Sequence, residues 1–213
     1  MSSISGIDLK LTSSDSVLVV KAVNGFDGPL GRATAHVMVT MNRDMELTAV
    51  NLVGPAEHAH LLAVGFGPGV GVKELARRTR HGLVAGVDPS EAMVRHATRR
   101  NRAAVAAGSV VLRRARAESI PWPDSSFDGV VAVNSVQLWH PLDDAIDEVV
   151  RVLRPVGSIV FVTHRWAIER ACSADAWIAG VTELLQGHEI MSESEHRRFR
   201  SGEGIVIRGT APA

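Results

Sequence analysis

The stretch LLAVGFGPGVG, residues 61–71, places four glycines directly behind a short apolar run. This pattern is typical of a buried strand that turns into a helix at the carboxyl edge of a parallel sheet. Glycines in such a loop let the backbone approach a ligand with no Cβ in the way. The next helix, predicted to begin between residues 70 and 72, offers its positive end to an anionic group. The stretch therefore predicts a ligand-binding loop.

The rest of the chain repeats this alternation of strand and helix. Further strands are predicted at residues 83–88, 110–114, 127–134, 158–164 and 204–209. Most of these runs are almost continuously apolar, as expected when helices cover both faces of a sheet. Helices are predicted from Ser90 and between Asp143 and Leu153, where apolar residues recur with a period near 3.6. The pattern predicts an α/β fold with a parallel sheet.

Composition limits the classes of function. The 213 residues are 46% apolar and 22% charged, which fits one domain with an ordinary core. The formal net charge is zero, so overall charge favours neither nucleic acid nor an anionic membrane as partner. Cys172 is the only cysteine, which excludes an intrachain disulfide. With no signal peptide or membrane-spanning stretch in the sequence, we expect a cytoplasmic protein, and the preference for arginine over lysine indicates a bacterial source.

The spacing of the loop residues narrows the choice of ligand. A dinucleotide fingerprint needs glycine where the chain has Val70 or Val72, and a P-loop needs Ser or Thr where Glu74 follows Lys73. Asp88 ends the second predicted strand, about 20 residues after the loop, at the position where a carboxylate can accept both ribose hydroxyls. The sequence therefore predicts a site for a nucleoside other than a dinucleotide.

Four stretches, in order, resemble the class I methyltransferases that use S-adenosylmethionine, of the methyltransferase-11-like type that acts on small molecules and lipids. They are GPLGRATAHVMVTMNRDMELTAVNLV (28–53), LLAVGFGPGVGVKELA (61–76), VAGVDPSEAMVRHA (84–97) and the run from RRARAESIPWPD to VGSIVF (113–161). The resemblance implies a single Rossmann-like sheet of seven strands, mostly parallel with the last strand antiparallel, and helices on both faces. It divides the chain into an N-terminal helical or lid segment, 1–57, and a methyltransferase core, 58–213. Residues 20–50 would line the mouth of the cleft.

The resemblance also implies a cofactor site. The residues that would bind S-adenosylmethionine and its product S-adenosylhomocysteine are Gly65, Phe66, Gly67, Gly69, Asp88, Pro89, Met93, Ala117, Glu118 and Asn134. The loop would cradle the methionine portion, Asp88 would bind the ribose, and Asn134 would lie under the sulfonium. The remaining four residues would border the adenine.

Plain structural roles compete with these assignments. Asp88 could cap the helix that starts at Ser90, Met93 could be ordinary core, and Asn134 could cap a strand. Methyl transfer requires mainly that the acceptor atom lie about 3–3.5 Å from the methyl carbon. A base helps if the acceptor is a phenol, enol or alcohol, and His140 is the candidate; its alternative is a hydrogen bond to the loop. No cluster of residues in the sequence has the spacing of metal ligands.

The sequence departs from the family at three positions. Ala63 stands where many relatives carry an acid that fixes the loop and the cofactor's ammonium; if nothing replaces it, cofactor affinity should fall about 10- to 100-fold. Arg116 stands where an aspartate often accepts a bond from the adenine amino group, which arginine cannot do. Val156 stands in a turn that is commonly Pro-Gly-Gly, and because a β-branched residue disfavours positive φ, we expect Gly157 to take the left-handed conformation.

Three functions follow from these observations. The first is transfer of a methyl group from S-adenosylmethionine to a small-molecule or lipid acceptor by in-line displacement. The second is a non-catalytic relative that keeps the fold for binding, and the third is a nucleic-acid methyltransferase. Only the many arginines motivate the third, and their placement on helix faces favours a solvated exterior. The sequence leaves open whether the protein is a homodimer.

Overall fold

The computed structural model describes residues 42–213, which contain a seven-stranded sheet. The strands are β1 (His60–Val64), β2 (Leu83–Asp88), β3 (Val110–Arg114), β4 (Phe127–Val133), β5 (Leu153–His164), β6 (Met191–Phe199) and β7 (Gly202–Thr210). Their order is β3-β2-β1-β4-β5-β7-β6. Strands β1 to β5 are parallel, and β7 runs antiparallel between β5 and β6. The predicted fold, a mostly parallel sheet with an antiparallel last strand, is confirmed.

Helices cover both faces of this sheet. They are α1 (42–53 within the described residues), α2 (Val70–Arg78), α3 (Glu91–Arg100), α4 (Arg102–Ala106), α5 (Leu142–Val152), α6 (Arg165–Ile168) and α7 (Ala174–Gly187). The helix predicted from Ser90 is interrupted at Asn101, whose side-chain amide donates to the carbonyl oxygens of Ala97 and Gly69. No helix among the described residues is long and apolar enough to cross a membrane.

Strand β1 shows how the apolar pattern builds two cores. Leu62 and Val64 point to the face covered by α5 and α7, while Leu61 and Ala63 point to the face covered by α1 and α2. All four are almost fully buried. Successive side chains of a strand alternate between faces, so a continuously apolar run is required where both faces are covered.

Helix α1 packs as part of the second core. Met45, Ala49 and Val50 are buried in the same cluster as Leu61 and Val131. Residues 42–50 of this helix belong to the stretch, 20–50, that we predicted to line the cleft mouth. Residues 1–41 lie outside the described part, so the start of the helix is not tested. The division of the chain at residue 57 stays a prediction.

The turn inside β5 differs from the prediction. Val156 itself takes the left-handed conformation, with φ of 56°, and Gly157 does not. Gly157 has another reason to be glycine, because a Cβ there would lie 2.8 Å from the Arg154 carbonyl oxygen. Val156 is held by its backbone N–H, which donates to the Pro212 carbonyl oxygen at 2.9 Å. The expectation that the turn would shift its strain onto Gly157 was wrong.

This strain predicts a stabilising substitution. The Val156 side chain is largely exposed, with 67% of the residue's surface accessible, so removing it loses little burial. A non-glycine residue in the left-handed region costs roughly 1–2 kcal/mol. Replacing it with glycine removes this cost, but part of the gain is offset because glycine has more backbone entropy in the unfolded chain. We expect Val156→Gly to raise the free energy of unfolding by about 0.5–1 kcal/mol in urea titrations. A decrease would contradict the turn geometry.

Candidate functional site

The glycine loop connects β1 to α2 at the carboxyl edge of the sheet. Gly65, Gly67 and Gly69 all have positive φ, at 69°, 52° and 78°. The Gly65 N–H donates to the Val87 carbonyl oxygen on β2, and the Gly69 N–H donates to that of Phe66. Gly69 is the N-cap of α2, and no side chain caps this end of the helix. The loop thus presents backbone and a helix N-terminus to the cleft.

The glycines of the loop are required for different reasons. A Cβ on Gly65 would overlap the Ser135 side chain and lie 2.8 Å from its hydroxyl oxygen. A Cβ on Gly69 would lie 2.7 Å from the Cβ of Ala97. A Cβ on Gly67 would meet nothing within 4 Å. Gly65 and Gly69 therefore allow close packing within the protein, and Gly67 is the glycine whose bare side faces the open cleft.

Asp88 joins the loop to the end of β2. Its Oδ2 accepts the Gly67 N–H at 2.8 Å, and its Oδ1 accepts the Ser90 N–H at 2.9 Å. The residue is buried, and burial raises the pKa of Asp88 although the two backbone hydrogen bonds lower it. Ser90 caps α3 through its hydroxyl, so Asp88 is not the cap. Each carboxylate oxygen retains a lone pair, which suits the two hydroxyls of a ribose.

The residues expected around the adenine lie after β2, in the first turn of α3 and in the loop after β3. Pro89 is exposed beside Asp88, whereas Met93 and Ala117 are buried. Glu118 accepts two hydrogen bonds from Arg116, at 3.0 and 3.1 Å, and one from the His140 backbone N–H at 2.9 Å.

The hydrogen bonds of Glu118 favour its ionised form. Burial alone would raise the pKa of Glu118, but the hydrogen bonds from Arg116 and backbone N–H groups lower it. Arg116 also donates to the His140 carbonyl oxygen at 3.2 Å. Arg116 therefore braces the loop after β3 against the loop after β4, a role that the sequence did not predict.

Asn134 directly follows β4 and has a left-handed conformation, with φ of 52°. Its Oδ1 accepts the His164 N–H at 2.8 Å, and its Nδ2 lies 3.5 Å from the Met45 sulfur of α1. The side chain thus links the ends of β4 and β5 with the covering helix. This arrangement matches the strand-end alternative, at the floor of the predicted cleft.

Two histidines come after β4 and at the end of β5. His140, the predicted base, is exposed, and its backbone N–H and carbonyl oxygen bond Glu118 and Arg116 in the neighbouring loop, as in its structural alternative. His164, which sequence reasoning missed, ends β5 and is buried; its Nε2 lies 3.2 Å from Asn42 Oδ1. Its Nδ1 has no hydrogen-bond partner among the described residues. Burial lowers the pKa of His164, so the ring is neutral near pH 7. A polar residue at the carboxyl end of a predicted strand was the signal that could have identified it.

A small cavity adjoins the glycine loop. It is lined by Glu46, Ala63, Gly65, Phe66, Gly71 and Val133, among others. Glu46 comes from α1 and was also missed; no sequence signal marks it, because its neighbours in space lie more than 15 residues away. A larger cavity, near the start of β5, includes none of the predicted site residues. No group of residues among those described could hold a metal ion.

Several arginines between α2 and the loop after β3 are paired with acids. Arg95 lies 2.8 Å from Glu91, and Arg116 lies 3.0 Å from Glu118. Arg80 pairs with Glu57. Such alternation of charge is typical of a solvated exterior rather than a track for phosphates.

The chain is similar to known methyltransferases. Residues 62–161 match the family model described as a methyltransferase domain. The chain is 31% identical over 122 residues to an uncharacterized methyltransferase, YdaC, of Bacillus subtilis, covering 57% of this chain and 65% of that protein. It is 33% identical over 164 residues to a fatty-acid O-methyltransferase of Mycolicibacterium smegmatis, covering 74% of this chain and 57% of that protein. The chain thus spans somewhat less than two thirds of these relatives.

The fold agrees with a solved structure. An S-adenosylmethionine-dependent methyltransferase from Aquifex aeolicus superimposes with a TM-score of 0.67 at 17% identity. The match covers 88% of this chain and 96% of that one. The family match begins in β1 and ends in β5, so it contains the glycine loop, Asp88 and Asn134.

Proposed function

We propose that the chain is a class I methyltransferase that transfers a methyl group from S-adenosylmethionine to a small-molecule or lipid acceptor. The observation that carries the proposal is the hydrogen bond between the Gly67 N–H and Asp88. It brings the open side of the glycine loop and a buried carboxylate together where β1 and β2 end. A nucleoside with an amino-acid chain needs both at this spacing.

The residues fit this cofactor. Gly67 leaves space where a Cβ would stand, and Asp88 has free lone pairs for the ribose. When bound, the cofactor supplies an electrophilic methyl group on a good leaving group. The protein's part is then to hold the acceptor in line and exclude water. Pro89, Met93, Ala117 and Glu118 would border the adenine, and Asn134 would form the cleft floor.

The relatives support a small or lipid acceptor. One is named a fatty-acid O-methyltransferase, and another, from Geobacter sulfurreducens, is named a ubiquinone/menaquinone biosynthesis C-methyltransferase. For an oxygen acceptor a base is useful, and His140 is exposed at the edge of the cleft where it can reach solvent. His164 is the competing candidate, since a neutral buried imidazole with a free nitrogen can accept a proton.

A non-catalytic binding protein is the second candidate, and the absence of an acid at Ala63 favours it. The two are separated by supplying tritiated S-adenosylmethionine with fatty acids, phenols, quinols and, as a further arm, nucleic acid. Methylated product, lost on adding excess S-adenosylhomocysteine, supports the enzyme. Cofactor binding without product in any acceptor class supports the binding protein, and nuclease-sensitive label would support a nucleic-acid acceptor instead.

A further inference from the structure

Glu46 stands opposite the position where the family's acid is missing. It projects from α1 into the small cavity that Ala63 and Gly65 also line. A Cβ on Gly71 would overlap the Glu46 carboxylate, so the fourth glycine of the loop stretch makes room for this group. The carboxylate therefore lies over the first turn of α2, beside the loop.

The Glu46 carboxylate also has no partner in the part of the chain that the structure describes. Among residues 42–213 it has no hydrogen bond and no salt bridge. The groups that line its cavity from β1 and β4 are apolar, namely Ala63, Val64, Val131 and Val133. A charge in such surroundings is costly unless a ligand neutralises it. The charged group that acts on it within the described residues is Arg100, at the end of α3.

We propose that Glu46 binds the ammonium of the cofactor's methionine portion and so replaces the acid that Ala63 lacks. The inference rests on the proposed function, because it assumes that the loop takes S-adenosylmethionine. It changes the expectation drawn from Ala63 alone. The acid reaches the same cavity from the covering helix instead of from the strand, and cofactor affinity need not be weak.

If Glu46 binds the ammonium, ligand binding should release a proton. Burial raises the pKa of Glu46 to about 8, with Arg100 opposing the shift. The group is therefore mostly protonated at pH 7 without ligand, and an ion pair with an ammonium requires it to ionise. Binding of S-adenosylhomocysteine at pH 7 should release about one proton, and affinity should rise from pH 6 to pH 8.5.

The test is calorimetric titration of S-adenosylhomocysteine and of 5′-methylthioadenosine, which keeps the ribose and adenine but has no amino-acid chain. Glu46→Gln should weaken the first ligand about 10- to 100-fold, change the second less than about 2-fold, and abolish the extra proton release. Because both ligands use Asp88, any proton that Asp88 releases is common to both. Gly71→Ala, which displaces the carboxylate without changing charge, should act in the same direction as Glu46→Gln.

Glu183→Gln, the same change on the exposed side of α7, is the matched control and should leave both affinities unchanged. Equal loss of both ligands, or no loss of either, in Glu46→Gln would overturn the role of Glu46. The proposed function would survive the second of these results, since the wild-type protein would still bind. Failure of the wild-type protein to bind either ligand would overturn both proposals.

Discussion

Replacing Asp88 with asparagine is expected to weaken S-adenosylhomocysteine binding by about 100-fold or more. The carboxylate accepts two backbone N–H groups, at 2.8 and 2.9 Å, with both oxygens engaged. An asparagine must turn its NH₂ toward one of those donors, so one charge-assisted hydrogen bond, of roughly 1.5–3 kcal/mol, is lost and Gly67 or Ser90 is left without an acceptor. The ribose also loses an anionic acceptor, so the two losses add.

Titration calorimetry measures this affinity, and 5′-methylthioadenosine should lose as much as S-adenosylhomocysteine, because both carry the ribose. This distinguishes Asp88 from Glu46, whose replacement affects only the ligand with an amino-acid chain. Asp144→Asn, on the exposed first turn of α5, is the control and should bind normally. Binding within a factor of three of wild type in Asp88→Asn would contradict the role of Asp88 as the ribose ligand.

The strands of the sheet were predictable because burial on both faces leaves a continuous apolar signal. Strands β2 and β3 begin and end at the predicted residues, 83–88 and 110–114. Strand β5 was predicted from residue 158 but begins at Leu153. Its first part contains the Pro-Val-Gly turn, which the sequence pattern assigned to a loop, and its pairing with β4 is irregular there.

Strand ends were the signal for part of the candidate site. Asp88 was predicted from its place at the end of a strand, because parallel strands bring their carboxyl ends to one edge, and Asn134 was predicted from the family resemblance. Contacts between distant parts of the chain could not be predicted. Val156 is strained because its N–H is held by Pro212, and Glu46 reaches the loop because α1 packs over it. Each depends on tertiary packing, which no local pattern encodes.

Helix α1 combines a stabilising and a destabilising role. Its apolar residues, Met45 and Ala49, are fully buried, while Glu46 introduces a carboxyl whose pKa is about 8. Since this pKa lies above that of an unfolded glutamate, the stability that protonation gives is complete below about pH 4.5 and is lost as pH rises to about 8. A group that opposes folding at neutral pH is expected where a ligand needs it.

The glycines of the loop give the second large effect, on stability rather than binding. Gly65→Ala should lower the free energy of unfolding by about 2–5 kcal/mol, since positive φ costs roughly 1–2 kcal/mol and overlap with Ser135 roughly 1–3 kcal/mol more. Gly67→Ala carries only the first of these costs, because its Cβ meets open space. Its Cβ instead enters the cleft, so it should weaken cofactor binding at least about 10-fold. Urea titration and calorimetry measure the two effects.

The two parts of the Gly65→Ala cost can be separated by removing the side chain that it meets. Ser135→Gly alone should cost about 1 kcal/mol, because the Ser135 hydroxyl donates to the Val64 carbonyl oxygen at 2.8 Å. In that background Gly65→Ala should cost only the roughly 1–2 kcal/mol of positive φ, so the two changes should couple by about 1–3 kcal/mol. Additive effects would mean that Gly65 is required by its backbone conformation alone. Coupling would mean that this glycine serves the contact between the ends of β1 and β4, leaving Gly67 as the one that serves the ligand.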